Sequence, residues 1–187
     1  MAATQVNIVN IALRSIGVTR ISSMSDDVEA QRVMTDLYNH IRDEMLVIHP
    51  WNFAICYSDT LAENATDPNF DYDYSYALPS DCLRVIELED AADEFKIVAG
   101  NLYTDTEDPK IKYIKQVTTT SSFSKAFVTA FAARLAAEAC YSLTESKPLQ
   151  EKKFEEYNVK LAQAKVADAQ EGTLEKIEDS SWIDDRE

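Results

Sequence analysis

Glycine is scarce, with three in 187 residues. Glycine-rich phosphate loops need several within a short span so that the backbone can approach the ligand, and that class of nucleotide site is excluded. Histidine is scarcer still: only His40 and His49. They lie nine positions apart on one predicted helix, on roughly opposite faces, whereas a shared metal needs them adjacent with further ligands. A surface or capping role is expected for both. Three cysteines, Cys56, Cys82 and Cys140, cannot all pair and show neither C-x-x-C spacing nor a neighbouring histidine. They are expected to be reduced, half-buried thiols of cytosolic type. No catalytic residue, metal or cofactor is expected.

Basic residues are the other deficit. Eighteen Lys+Arg face 33 Asp+Glu, a net charge of −15. Gripping DNA or RNA rests on a basic surplus, as does attraction to anionic membranes, so neither partner is expected to be bound. No apolar run is expected to reach bilayer length. Residues 1–10 lack the basic start and apolar stretch of a signal peptide.

The remainder is ordinary globular composition, 45% hydrophobic and 27% charged, in one domain or one domain with an insertion. The charge is uneven. Residues 1–50 carry net −2, 51–117 net −9, 118–170 net +1 and 171–187 net −5.

Secondary-structure signals divide at the same places. Val6, Val9, Leu13 and Ile16 recur at helical spacing, with Gly17 placed as a left-handed cap. Asp26 stands three before Glu29, a relative of the capping box that predicts a second helix start. Ala30, Val33, Leu37, Ile41 and Ile48 follow one face until His49-Pro50 ends it. From Trp51 the period becomes two: Trp51, Phe53, Ile55 and Tyr57 alternate with smaller or polar residues, as in a strand. A long acidic, tyrosine-rich loop follows, with a short strand near Tyr74–Leu78. Further strands are expected at Leu83–Leu88, at Phe95–Val98 and Leu102–Thr104 around an Ala99-Gly100-Asn101 turn, and at Lys110–Gln116. Helical period returns with Phe127, Ala130, Phe131, Arg134, Leu135, Glu138 and Ala139. Pro148 marks the start of a last helix, along which Phe154, Tyr157, Leu161, Ala164 and Ala167 or Asp168 continue a face to Gly172.

The expected fold class is therefore α+β. Residues 1–50 and 118–171 would form a four-helix bundle core, and 51–117 a small antiparallel β-rich insertion between helices 2 and 3. Residues 172–187 would be a flexible acidic C-terminal tail. Asp71 and Asp73, interleaved with Tyr72, Tyr74 and Tyr76, lie on the only loop resembling a sugar-binding site; an exposed acidic loop whose tyrosines cover a neighbour or pack on the sheet is the favoured reading. The tail carries Leu174, Ile177, Trp182 and Ile183, large apolar residues suited to a docking strip or to folding back on the bundle.

Several stretches resemble a known family. These are N-I-A-L-R-S-I-G-V at Asn10–Val18, I-S-S-M-S-D at Ile21–Asp26, Y-A-L-P-S-D-C-L-R-V at Tyr76–Val85 and the helix Phe127–Cys140. The most specific is R-D-E-M-L-V-I-H-P-W-N-F-A at Arg42–Ala54. Together they are similar to the tail tubular protein A family, the portal adaptors or head-to-tail connectors of short-tailed bacteriophages, over residues 7–171. The resemblance implies a structural virion protein, not an enzyme. It would form a ring of probably twelve copies in the neck, assembled in the host cytoplasm. That ring would join the portal protein to a tail nozzle of the tail tubular protein B type, and DNA would pass through its channel without specific binding. No membrane is implied. The tail residues Leu174, Ile177, Trp182 and Ile183 are then expected at the portal, and Tyr72, Tyr74, Tyr76, Gly100, Asn101 and Tyr103 at the nozzle. Two alternatives are a head-completion or stopper connector of a long-tailed phage, and an adaptor with added cell-wall or polysaccharide hydrolase activity at Asp67–Tyr76.

Overall fold

A computed structural model describes residues 3–65, 71–90 and 92–171. Four helices and two antiparallel sheets make an α+β chain. Helix α1 (Gln5–Ser15) begins at Thr4, whose hydroxyl accepts from the Asn7 amide, and ends in the expected glycine cap. Gly17 has φ +78°, and the Val18 and Gly17 amides donate back to Leu13 and Arg14 carbonyls. Helix α2 (Glu29–Val47) starts without the capping box. Asp26 instead turns back to accept from the Ser22 and Ser23 amides, and Asp27 pairs with Arg32. The buried face of α2 is Ala30, Met34, Tyr38, Ile41, Arg42, Met45 and Leu46, which keeps Ala30 and Ile41 of the expected stripe but has Met34 and Tyr38 in place of Val33 and Leu37. Val33 and Leu37 flank it and Ile48 is exposed.

Trp51 does not open a strand. Asn52–Ala54 form a single 3₁₀ turn, and β1 (Ile55–Ser58) follows. Trp51 and Ala54 are both buried by that turn, whose three-residue spacing overrides the alternation in the sequence. The remaining strands are β2 (Ala62–Glu63), β3 (Tyr74–Ala77), β4 (Cys82–Leu88), β5 (Phe95–Val98), β6 (Asn101–Thr104) and β7 (Ile111–Lys115). They divide into two sheets, in the orders β1-β7-β4 and β2-β3-β6-β5. The β5–β6 turn has only two residues, Ala99 and Gly100, at φ +51° and +81°. Two positive φ values match the twist of the hairpin, and an alanine carries one of them.

The first sheet lies between the helices and the second sheet. Ile114, Leu83 and Ile86 pack with the helical core, while Ile111, Tyr113, Cys82, Val85 and Leu88 pack with Tyr76, Leu102 and Phe95 of the second sheet. Two irregularities in β4, between Cys82 and Arg84 and between Val85 and Glu87, explain how one strand serves both sides. Each adds a residue, so inward positions recur every three residues instead of every two.

Helix α3 (Lys125–Thr144) starts at Ser124, whose hydroxyl accepts from the Phe127 amide, and α4 (Lys147–Ala169) at Ser146, with Pro148 in its first turn. Helices α1, α2 and α4 all pack against α3. Its alanines explain this: Ala130, Ala132, Ala136, Ala137 and Ala139 are each at most 1% exposed and let three neighbours approach one axis. Cys140 is buried there too, deeper than expected. Contrary to expectation, α3 is long and apolar enough to cross a membrane, with mean hydropathy 1.2, although 61% of that window is buried by the rest of the fold. Arg134 fastens the group. Its guanidinium lies 5.4 and 5.2 Å from the Phe154 and Tyr157 ring centroids of α4, pairs with Glu138 at 2.7 Å and reaches Glu44 of α2 at 3.6 Å.

Tyr38 is 3% exposed and packs edge-on to Phe131. Among the described residues its hydroxyl has no hydrogen-bond partner, and burial pushes its pKa up to about 12. A desolvated, unpaired hydroxyl costs stability. Tyr38→Phe is therefore expected to stabilise the fold by about 1 kcal/mol, read as a higher denaturation midpoint at unchanged slope. A lower midpoint would refute this.

Candidate interaction surfaces

The stretch Arg42–Ala54 works as a joint. Arg42 is 6% exposed; its guanidinium donates to Asp43 at 2.8 and 3.2 Å and to Asn39 at 2.9 Å. Asp43 also accepts from Gln116 at 2.8 Å, tying α2 to the chain leaving β7. Trp51 is fully buried. Its indole N–H donates to the Met45 carbonyl at 2.7 Å, and its ring meets His49 and Phe127 edge-on and Phe53 face-on.

Asp168, in the last turn of α4, closes the joint. It is 3% exposed. Its carboxylate accepts from the Asn52 amide at 3.1 and 3.3 Å and from His49 Nε2 at 3.2 Å, while the Asn52 side chain donates to the Asp168 carbonyl at 2.6 Å. His49 is thus neither a surface residue nor a simple cap; it clamps two segments 119 positions apart. His40 does stand on the surface, 3.3 Å from Glu44. Among the described residues no group of three or more His, Cys, Asp or Glu is placed to hold a metal ion.

The residues expected at the nozzle separate. Gly100 is exposed at the hairpin tip; Asn101 and Tyr103 are half-buried on β6, and Tyr72 and Tyr74 are half-buried before and on β3. Tyr76 is 1% exposed, in the core between the sheets, and presents no contact to a partner. Its hydroxyl donates to the Thr106 carbonyl at 3.3 Å and accepts from the Asp108 amide at 3.1 Å, and burial raises its pKa. Strand period accounts for that burial: alternation in Y-D-Y-S-Y puts Tyr74 and Tyr76 on one inward face. Asp71 and Asp73 are exposed, and the Asp73 amide donates to Asp105 at 2.9 Å. Residues 66–70 of that loop, and the tail positions Leu174, Ile177, Trp182 and Ile183 with Gly172, lie outside the described residues.

Cys82 has its thiol pushed up to about 11 by burial, with the Asp81 carboxylate adding to the shift. Tyr113 of β7, opposite Cys56 of β1, is raised as well, first by burial and then by Cys56. A thiol protonated at neutral pH is a poor nucleophile.

Compared with known proteins, the chain matches no family model and no curated sequence.

Sequence reasoning passed over Asp168 as one of two alternatives on a helix face. The usable signal was its place in the stripe Tyr157, Leu161, Ala164: an acid on an otherwise apolar face needs a dedicated partner. Asp168→Ala leaves the Asn52 amide and His49 unpaired inside the joint. A loss of about 2–4 kcal/mol in chemical denaturation is expected. A loss below about 0.5 kcal/mol, the level of an ordinary surface substitution, would refute the clamp. Cys82 is expected to react with iodoacetamide at pH 8 more than roughly tenfold slower than free cysteine, because so little thiolate is present. Alkylation at the free-thiol rate would overturn that environment.

Proposed function

We propose that this protein is a structural adaptor of the bacteriophage neck. In this reading its four helices form a bundle and its β insertion projects from between α2 and α3. Copies pack side by side in a ring under the portal, and the ring hands the DNA channel on to the nozzle. One observation carries most of the weight. The residues with the most specific resemblance, Arg42–Ala54, are spent on the joint between helices and β insertion: Asp43, His49, Trp51, Asn52 and Phe53 all make cross-element contacts there. A resemblance concentrated in such residues concerns how a subunit is built, which is what a ring component repeats.

The charge distribution is compatible. The helical segment 118–170 is nearly neutral, so neighbouring copies pack without mutual repulsion, while the acidic insertion repels phosphates and lets DNA slide past. The role needs no reacting group, and we take the protein to be non-enzymatic.

Electron microscopy of the protein mixed with its portal tests the reading. A closed ring seated on the portal is expected. A protein that stays single beside intact portals would overturn it, and a ring plugging the channel of a long-tailed particle would favour a stopper. Truncation after Gly172 is expected to abolish portal attachment while leaving the circular dichroism spectrum and melting temperature unchanged, because the apolar tail residues would supply the contact. Normal attachment by the truncated chain would remove the tail from the interface.

A further inference from the structure

The second sheet ends in a short open edge. Strand β5 is its last strand, and among the described residues nothing pairs with its outer side. Val98 and Asn101 flank the two-residue turn and form the hydrogen-bonded pair, so alternate pairs are not bonded to each other. The amides and carbonyls of Phe95 and Ile97 therefore point away from β6 into solvent. Ile97 lies on the same face as Leu102 and Phe95 but is 42% exposed, and Val98 on the opposite face is 44% exposed. Soluble proteins usually shield such an edge with charge, proline or a covering segment; this one carries only Lys96.

The surroundings identify what fits. Residues 90–108 hold six acids and one base. At the Phe95 end of the edge lies a cavity of about 460 Å³ lined by Glu89, Asp90, Asp93, Glu107 and Asp108. Lys110 also lines it and is held by Glu89 at 2.9 Å. A second copy paired antiparallel would set this acidic end beside the other's Ala99-Gly100 tip, which offers the carboxylates no base while adding a further net −15, and the acidic residues 172–187 would meet like charge. Both are disfavoured.

We infer that β5 is a strand-addition site for a partner segment that lies antiparallel to it, apolar opposite Ile97 and basic at the end reaching the acid-lined cavity. Main-chain hydrogen bonds to Phe95 and Ile97 supply the affinity, and the carboxylates choose the partner. The inference rests on the β5 edge and the carboxylates at its end, and stands or falls separately from the adaptor reading.

The test uses the full-length protein and the blocked peptide Thr-Val-Thr-Ile-Thr-Lys-Lys. Controls carry glutamates for the lysines, or proline for the isoleucine. Binding is read by calorimetry, and amide exchange at residues 95 and 97 by NMR. The lysine peptide is expected to bind and to slow exchange at both amides. Glutamate or proline should each weaken binding at least tenfold. Ile97→Pro, which removes an outward donor at a position where an edge strand tolerates proline, should do the same. Asp93→Asn with Asp108→Asn changes only exposed or half-buried loop charges and should weaken binding severalfold without altering the melting temperature. Equal binding of lysine and glutamate peptides, or no binding of either, would overturn the proposal. Amides 95 and 97 already protected without peptide would overturn it too. Protection that grows with protein concentration would mean a second copy sits there, and protection independent of concentration would mean the chain covers its own edge.

Discussion

A buried carboxylate organises this molecule. Asp168 sits at the end of the last helix, yet its partners are the backbone and side chains of His49 and Asn52, more than a hundred positions earlier. An ionised group taken out of water is tolerated only where donors replace the lost hydration. Here those donors belong to the turn where helix gives way to sheet. The same contact fixes the end of α4, the end of α2 and the turn that leads into β1. Trp51 fills the space beneath it and joins the aromatic group of Phe53, Phe123, Phe127 and Phe131. A polar clamp over an aromatic floor has one satisfactory arrangement, because rotating either part strands the other's donors.

From that joint the molecule runs outward in layers of changing character. The helices are almost charge-neutral and centred on an alanine-rich axis. The first sheet is apolar on both faces, since it serves two cores. The second sheet carries the acidic loops and ends in the exposed β5 edge. The net value of −15 is mostly that of residues 51–117 and 171–187.

Helix positions were legible because each has a local cause: period 3.6, the Gly17 cap and Pro148 in the first turn of α4. The strands 74–77, 95–98, 101–104 and 111–115 were legible as short alternating runs between turn residues. Where the reading failed, a longer-range demand had overridden the local pattern. Asp26 is a good capping residue, but the connector at Ser22 and Ser23 uses it first. Trp51 and Phe53 alternate like a strand, but the joint needs both rings on the helical side.

The sequence by itself determined the α+β class, the order of its segments and the uneven charge, because those follow from neighbours along the chain. Only the tertiary structure decided that the seven strands among the described residues form two sheets, that α3 is the axis the other helices share, and that Asp168 is a clamp and not a solvated acid. It also decided that β5 is left at an open edge. Each of these is a choice of partner between distant segments. Such choices are made by which apolar faces and unsatisfied donors can be buried together, a quantity that no local window of sequence contains.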